Sequence, residues 1–127
     1  MKYFYCPDTG AVESEDQMLM LYKWGLIEDP ENYEGFGNFE NYIDAVIGKN
    51  GNMWQVYQST YLISYLHHNY DDFLDYMNNE SFWVFRLNRY PEDENLLKCT
   101  IYANAPDETA DIKNILDTYF GNQYKAV

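Results

Sequence analysis

SFWVFRLNRYPEDENLLKCTIYA, residues 81 to 103, is the stretch that decides the fold. Residues 81–88 and 96–103 are two runs rich in aromatic, β-branched and other apolar side chains, as β-strands are. The segment 89–95 between them is polar and contains a proline, which is typical of a connecting loop. The stretch therefore predicts an antiparallel β-hairpin with a long loop.

The sequence before the hairpin predicts one strand and several helices. Ser14 and Gln17 have the spacing of a capping box, so a helix is expected to begin there, and Gly25 is expected to end it. The middle of this helix is apolar on nearly every side, which predicts that other elements cover it. The predicted elements are a strand over 2–6, a turn over 7–10, a helix from Ser14 to about Trp24, a glycine-punctuated loop, a helix over 39–47 and a turn over 49–52.

Residues 59–77 predict the longest helix. At the helical spacing, one arc of about 120° is apolar; it carries Leu62, Ile63, Leu66, Tyr70, Phe73, Leu74 and Met77. The opposite face carries Tyr61, Ser64, Tyr65, His68, Asp71, Asp72, Asp75 and Tyr76. The alternative is a break in this helix near Asn69, with Asn69 capping the second half.

A last helix is predicted from Asp107 or Thr109 to Phe120, with Gly121 after it. Together these elements predict an α+β fold. Its sheet consists of the N-terminal strand and the hairpin, about four helices pack on that sheet, and residues 1–127 form a single compact domain.

The charge of the chain limits its partners. The formal net charge is −13, from 21 acidic and 8 basic residues. Such a field repels nucleic acids and anionic membranes and attracts basic proteins. We therefore expect a basic protein partner, no direct binding of nucleic acid and no membrane association. Between Lys23 and Arg86 there are ten acidic residues and only one base, Lys49, so the charge is concentrated in one part of the chain.

No complete catalytic, metal or cofactor motif is found in the sequence, which predicts a protein that is not an enzyme and needs no cofactor. Cys6 and Cys99 are the only cysteines, and the N-terminus lacks the apolar stretch of a signal peptide. A cytoplasmic location follows, the host cytoplasm if the chain is encoded by a phage. One alternative is a small metal-binding enzyme or regulator, because His68, Asp72 and Asp75 would share a face of a continuous helix.

GLIEDPENYEGFGNFENYID, residues 25 to 44 and here called the acidic segment, is the main candidate site. It contains six carboxylates, four aromatic rings, three glycines and no base. Tyrosine is common where proteins bind each other, and a glycine-rich loop is costly to order without a contact. The candidate partner-binding residues are Glu28, Asp29, Glu31, Tyr33, Glu34, Phe36, Glu40 and Asp44, with Tyr61, Tyr65, Asp72, Asp75 and Tyr76 from the predicted helix face.

These features predict a stoichiometric inhibitor of a basic, nucleic-acid-handling protein. In its general composition the chain is similar to the phage and plasmid DNA mimics that disarm CRISPR nucleases or restriction enzymes, although no stretch carries a family motif. That likeness implies anti-CRISPR or anti-restriction activity through protein–protein interaction. An immunity protein that neutralises a nuclease toxin would use the same physics, and a housekeeping adaptor whose acidity confers only solubility is a further alternative.

Overall fold

Residues 2–48 and 51–127 are described by a computed structural model of the protein. The chain divides into two compact units, residues 1–56 and 57–127. Each unit combines helices with antiparallel strands, so the α+β class is confirmed. The single domain stays a prediction, and the turn predicted over 49–52 lies partly outside the described residues.

The first unit begins with a hairpin of which the sequence predicted only one strand. Strand β1, Tyr3–Cys6, pairs with β2, Ala11–Ser14, across the predicted turn. Gly10 closes this turn at a φ of 73°, a conformation that glycine adopts at no steric cost. On its other side β1 pairs with the first three residues of β3, Trp54–Ser64.

Three α-helices follow β2: α1 over Glu15–Glu28, α2 over Pro30–Tyr33 and α3 over Phe39–Ile47, with a 3₁₀ turn over Glu34–Phe36. The capping box is confirmed, since the Ser14 hydroxyl accepts from the Gln17 amide at 3.2 Å and the Gln17 side chain accepts from the Ser14 amide at 2.7 Å.

The predicted end of α1 at Gly25 is wrong. Gly25 is buried inside the helix, and its carbonyl accepts a hydrogen bond from the amide of Asp29 at 2.8 Å. The glycine is here for close packing, because a Cβ on Gly25 would overlap the ring of Tyr33. The loop predicted after it is correspondingly wrong: most of the segment up to α3 is helical.

The second unit contains the predicted hairpin, although its first strand begins at Val84 and not at Ser81. Strand β4, Val84–Arg89, pairs with β5, Leu96–Ala103, around the predicted long loop. On its other side β5 pairs with residues 57–64 of β3. A short strand β6, Lys125–Ala126, pairs with β3 as well.

The predicted helix over 59–77 is wrong in its first half. Residues up to Ser64 belong to β3, where they form a ladder with β5 that includes the pairs Tyr61–Cys99 and Ile63–Leu97. The helix that does form, α4, spans Tyr70–Asn79. Asn69 is its N-cap residue, as the alternative predicted.

The alternative placed the start of α4 correctly, but the Asn69 side chain makes no capping hydrogen bond. The Phe73 amide donates to the Asn69 carbonyl at 2.9 Å, while the Asn69 side chain donates to the Tyr119 carbonyl at 2.9 Å. The last helix, α5, spans Thr109–Phe120 after a 3₁₀ turn over Pro106–Glu108, close to the prediction.

Each unit has its own apolar core. The first is centred on Phe4, Met18, Tyr22 and Tyr42. The second is larger and consists of Tyr61, Ile63, Phe73, Met77, Cys99, Ile101, Ala103, Ile112, Leu116 and Phe120. Burying a side chain of this size stabilises a fold by about 1.5–3 kcal/mol, so neither unit depends on disulfides for its stability.

Candidate protein-binding surface

All six carboxylates of the acidic segment are exposed. They lie on regular structure, since Glu28 ends α1, Glu31 lies in α2, and both Glu40 and Asp44 lie in α3. The other two, Asp29 and Glu34, flank α2. The segment therefore holds its negative charges on helices or directly beside them.

The four rings of the segment point the other way. Tyr42 is buried, stacks on Tyr22 of α1 with ring centroids 5.1 Å apart, and has the Phe36 ring at 5.4 Å. The ring centroids of Tyr33 and Tyr42 are 5.9 Å apart, and those of Phe39 and Tyr22 are 6.0 Å apart. Aromatic pairs at such distances contribute about 0.5–1.5 kcal/mol beyond their burial. Tyr33 and Phe36 thus pack against the core and are partly buried, so only part of each ring is exposed.

Burial, and then the neighbouring Tyr33, raise the pKa of Tyr42 above its usual value. The phenol therefore stays neutral inside the cluster at any ordinary pH. The negative charge of this region is carried by its carboxylates alone.

Two of these carboxylates destabilise the helices in which they lie. Glu28 is the last residue of α1 and Asp44 lies in the last turn of α3, and neither last turn contains a base. Because the C-terminal end of a helix carries partial negative charge, each carboxylate costs about 0.3–1 kcal/mol there. Their positions do not serve the stability of the helices.

The second set of candidate residues does not form the face that was predicted. Tyr61 lies in β3 with only 1% of its surface exposed, so it cannot reach a partner. Tyr65 follows β3 and is exposed. Asp72, Asp75 and Tyr76 do share α4, where they line a shallow cleft of about 470 Å³.

The residues of the predicted metal site do not share one helical face. His68 lies before the first residue of α4, so it does not share a helical face with Asp72 and Asp75. Its ring stacks on the ring of His67, with centroids 4.5 Å apart. The His67 ring in turn meets the Phe120 ring edge to face, with centroids 5.1 Å apart. Within residues 2–48 and 51–127, no three His, Cys, Asp or Glu side chains are grouped to hold a metal ion.

The cysteines are placed as core residues. Both Cys6 and Cys99 are buried and unpaired. Burial raises the pKa of the Cys99 thiol to about 12. Because only a thiolate is a good nucleophile, Cys99 is unreactive in the folded protein.

The sequence did not predict one exposed feature of α1. Met20, Leu21, Trp24 and Ile27 form what we call the apolar strip, with exposed fractions of 70%, 48%, 63% and 73%. The prediction that other elements cover this helix on all sides is therefore wrong. A signal was present, since Met20, Trp24 and Ile27 have the spacing i, i+4, i+7 that puts residues on one helical face.

None of the helices in the described part of the chain is long and apolar enough to cross a membrane. Comparison with known proteins found no similar family model, no similar curated protein and no similar solved structure.

Proposed function

We propose that the protein is a non-enzymatic acidic inhibitor of phage or mobile-element type. Its target is a basic nucleic-acid-binding defence protein, a CRISPR nuclease or a restriction enzyme, which it blocks by DNA mimicry. One observation carries this proposal: the acidic segment turns its six carboxylates to solvent, while Tyr42 lies in the core and the other three rings pack against it.

The packing of the rings gives the carboxylates fixed positions. A flexible loop would lose conformational entropy on binding, at about 1–2 kcal/mol for each residue whose backbone becomes ordered. Here the helices and the ring cluster have already ordered the segment before a partner arrives. Such preorganisation favours tight binding.

The spacing of the charges supports mimicry of a phosphate backbone. Glu40 and Asp44 are four residues apart in α3, which places their Cβ atoms about 5–6 Å apart. Carboxylates in such a row can occupy sites that a basic protein uses for successive phosphates. The unfavourable helix positions of Glu28 and Asp44 agree with this, because a role in binding accounts for charges that stability does not favour.

The test is competition with DNA. The purified protein is titrated into complexes of labelled duplex DNA with Cas nucleases and with restriction enzymes, and DNA release is followed by fluorescence anisotropy. We expect stoichiometric release that weakens as salt is raised, because exposed charges are screened. If the protein and the DNA bind the target together, mimicry is wrong.

Charge reversal locates the contact. A variant with Glu28, Asp29, Glu31 and Glu34 changed to Lys should release DNA roughly 10- to 100-fold less well, if each lost ion pair contributes about 0.3–0.7 kcal/mol. Its thermal stability should not fall, since all four side chains are exposed and the change reduces the repulsion among carboxylates. A collapse of the fold would instead show that the segment is structural.

The matched control reverses four exposed acids elsewhere, Asp8, Glu92, Glu94 and Asp107. It alters the net charge by the same amount, and we expect it to keep most of the activity. Equal loss in both variants would show that net charge alone acts and that the acidic segment is not the contact. Activity against a nuclease toxin, with none against the defence proteins, would favour an immunity protein.

A further inference from the structure

The apolar strip on α1 is the largest group of exposed apolar side chains on any one helix of the described residues. At 100° per residue, Met20, Trp24 and Ile27 lie within an arc of about 60°. The opposite side of α1, with Met18, Tyr22 and Gly25, is buried in the first unit. The strip is therefore the exposed face of α1, and the opposite face packs the helix into the first unit.

The strip itself lines a shallow groove. The groove has a volume of about 420 Å³ and is lined by Met20, Leu21 and Trp24, with Gln17 and with Glu13 of β2. Its floor is apolar and its border carries a carboxylate. An exposed apolar groove is a surface on which an amphipathic helix of another protein can pack.

We propose that the apolar strip docks on an apolar helix or groove of a partner protein that is bordered by Lys and Arg side chains. Large exposed apolar patches of soluble proteins commonly mark binding sites, and Trp is the residue type most enriched in the centres of interfaces. Trp24 would be that centre. The proposal rests on the proposed function for the identity of the partner and adds an apolar anchor to its charge contacts.

Charge decides which occupant fits. Asp16 and Glu28 are exposed on the two edges of the strip, and Lys23 is the one base in α1. A second copy of the chain would bring the same carboxylates and a net charge of −13 against them. Like charges at the rim of an interface oppose association, whereas a basic rim favours it.

The probe is a synthetic amphipathic helical peptide with Leu on one face and Lys on the other. Binding is measured by isothermal titration calorimetry. Two peptides serve as controls: a scrambled peptide of the same composition, which has the charge without the apolar face, and an analogue with Glu in place of Lys. The protein variant is Met20→Ser with Trp24→Ser, and its control is Leu66→Ser with Phe82→Ser, two exposed side chains of the second unit.

We expect the Leu/Lys peptide to bind at least tenfold more tightly than either control peptide. The Met20/Trp24 variant should bind it at least tenfold more weakly at an unchanged melting temperature, while the Leu66/Phe82 variant binds as the unchanged protein does. Equal binding of the scrambled peptide, undiminished binding by the Met20/Trp24 variant, or no binding at all would overturn the proposal.

Sedimentation equilibrium tests whether a second copy of the chain binds the strip. A dimer of the unchanged protein that the Met20/Trp24 variant abolishes would assign the strip to a second copy and overturn the partner proposed here. The DNA-release assay separates the two proposals: peptide binding without DNA release contradicts the inhibitor function alone, and DNA release without peptide binding contradicts the docking strip alone.

Discussion

Gly25 and Tyr33 are the pair of residues on which the acidic segment depends. Gly25 lies in the interior of α1, where glycine is a poor helix former. The ring of Tyr33, eight positions later, packs directly on its Cα, in the space that any larger residue would need. This contact turns the chain back after α1 and directs Tyr33 towards Tyr22 and Tyr42.

The substitution Gly25→Ala should therefore destabilise the protein by about 1–3 kcal/mol, the usual cost of overpacking. At an open helical site the same change stabilises by about 1 kcal/mol. Equilibrium unfolding in urea measures the change in the free energy of unfolding. In a Tyr33→Ala background the overlap is gone, and Gly25→Ala should become neutral or stabilising.

Gly35→Ala is the control for this prediction. No atom lies near the position of its Cβ, so we expect little change or a small gain in stability. A gain at Gly25 as large as that at Gly35 would show that the Tyr33 ring moves freely, and the ordered segment would lose its main structural support.

At the scale of elements, Tyr124 connects helix α5 to the segment before β6. Its hydroxyl donates to the Asp117 carboxylate at 2.7 Å. That hydrogen bond, with burial and the negative charge of Asp117, raises the pKa of Tyr124 from 10.0 to about 12. The raised pKa means that the folded state favours the protonated phenol.

The stabilisation from Tyr124 is complete below pH 10, where the phenol is protonated in both states, and is lost as the pH rises to about 12. Tyr124→Phe should cost about 0.5–1 kcal/mol at neutral pH, as expected for a hydrogen bond close to solvent. The difference in the free energy of unfolding between this variant and the unchanged protein should become smaller between pH 10 and 12. Urea unfolding at several pH values measures it.

The control is Tyr65→Phe, because Tyr65 is an exposed tyrosine. At neutral pH, removal of its hydroxyl should change the free energy of unfolding less than removal of the Tyr124 hydroxyl does. An effect of Tyr124→Phe that does not change between pH 10 and 12 would contradict the role of the Asp117 hydrogen bond.

Elements differ in how far the sequence predicts them. The hairpin of β4 and β5 and the helix α5 were predicted because local signals agree: turn residues, β-branched runs and a glycine after the helix. The helix over 59–77 failed in its first half because Tyr61, Leu62 and Ile63 fit either period. Their conformation is decided by pairing with β5, which lies far along the chain.

The exposure of the candidate site residues could be predicted only in part, for a related reason. The exposure of its carboxylates follows from their charge, whatever the fold. The direction of Tyr33 and Phe36 does not, because a tyrosine or phenylalanine serves a core or an interface equally well. Their packing against the core depends on the continuation of α1 past Gly25, where Tyr33 packs, and on the contact of Tyr22 with Tyr42, and no local pattern predicts either.

For the whole molecule the dominant property is its net charge of −13. Mutual repulsion of carboxylates destabilises the folded state, and salt screens it over a Debye length of about 10 Å at 0.1 M. We expect the melting temperature of the free protein to rise with sodium chloride, by several degrees between roughly 0.01 and 0.3 M. Differential scanning calorimetry measures this directly.

The same salt should weaken binding to a basic target, so stability and affinity are expected to respond in opposite directions. The four-site Lys variant of the acidic segment has less negative charge, and its melting temperature should depend less on salt. A melting temperature that falls with salt in the unchanged protein would show that attractive ion pairs outweigh the repulsion.

Under the proposed function, binding and folding depend on different side chains of the acidic segment. Substitution of a carboxylate changes the charge pattern that a partner meets and leaves the rings beneath it in place. A protein built in this way can follow a target whose surface changes, one charge at a time, without a loss of stability at each step. The same property makes the six acidic positions a practical library for directing the protein to a new basic target, with the four rings held constant.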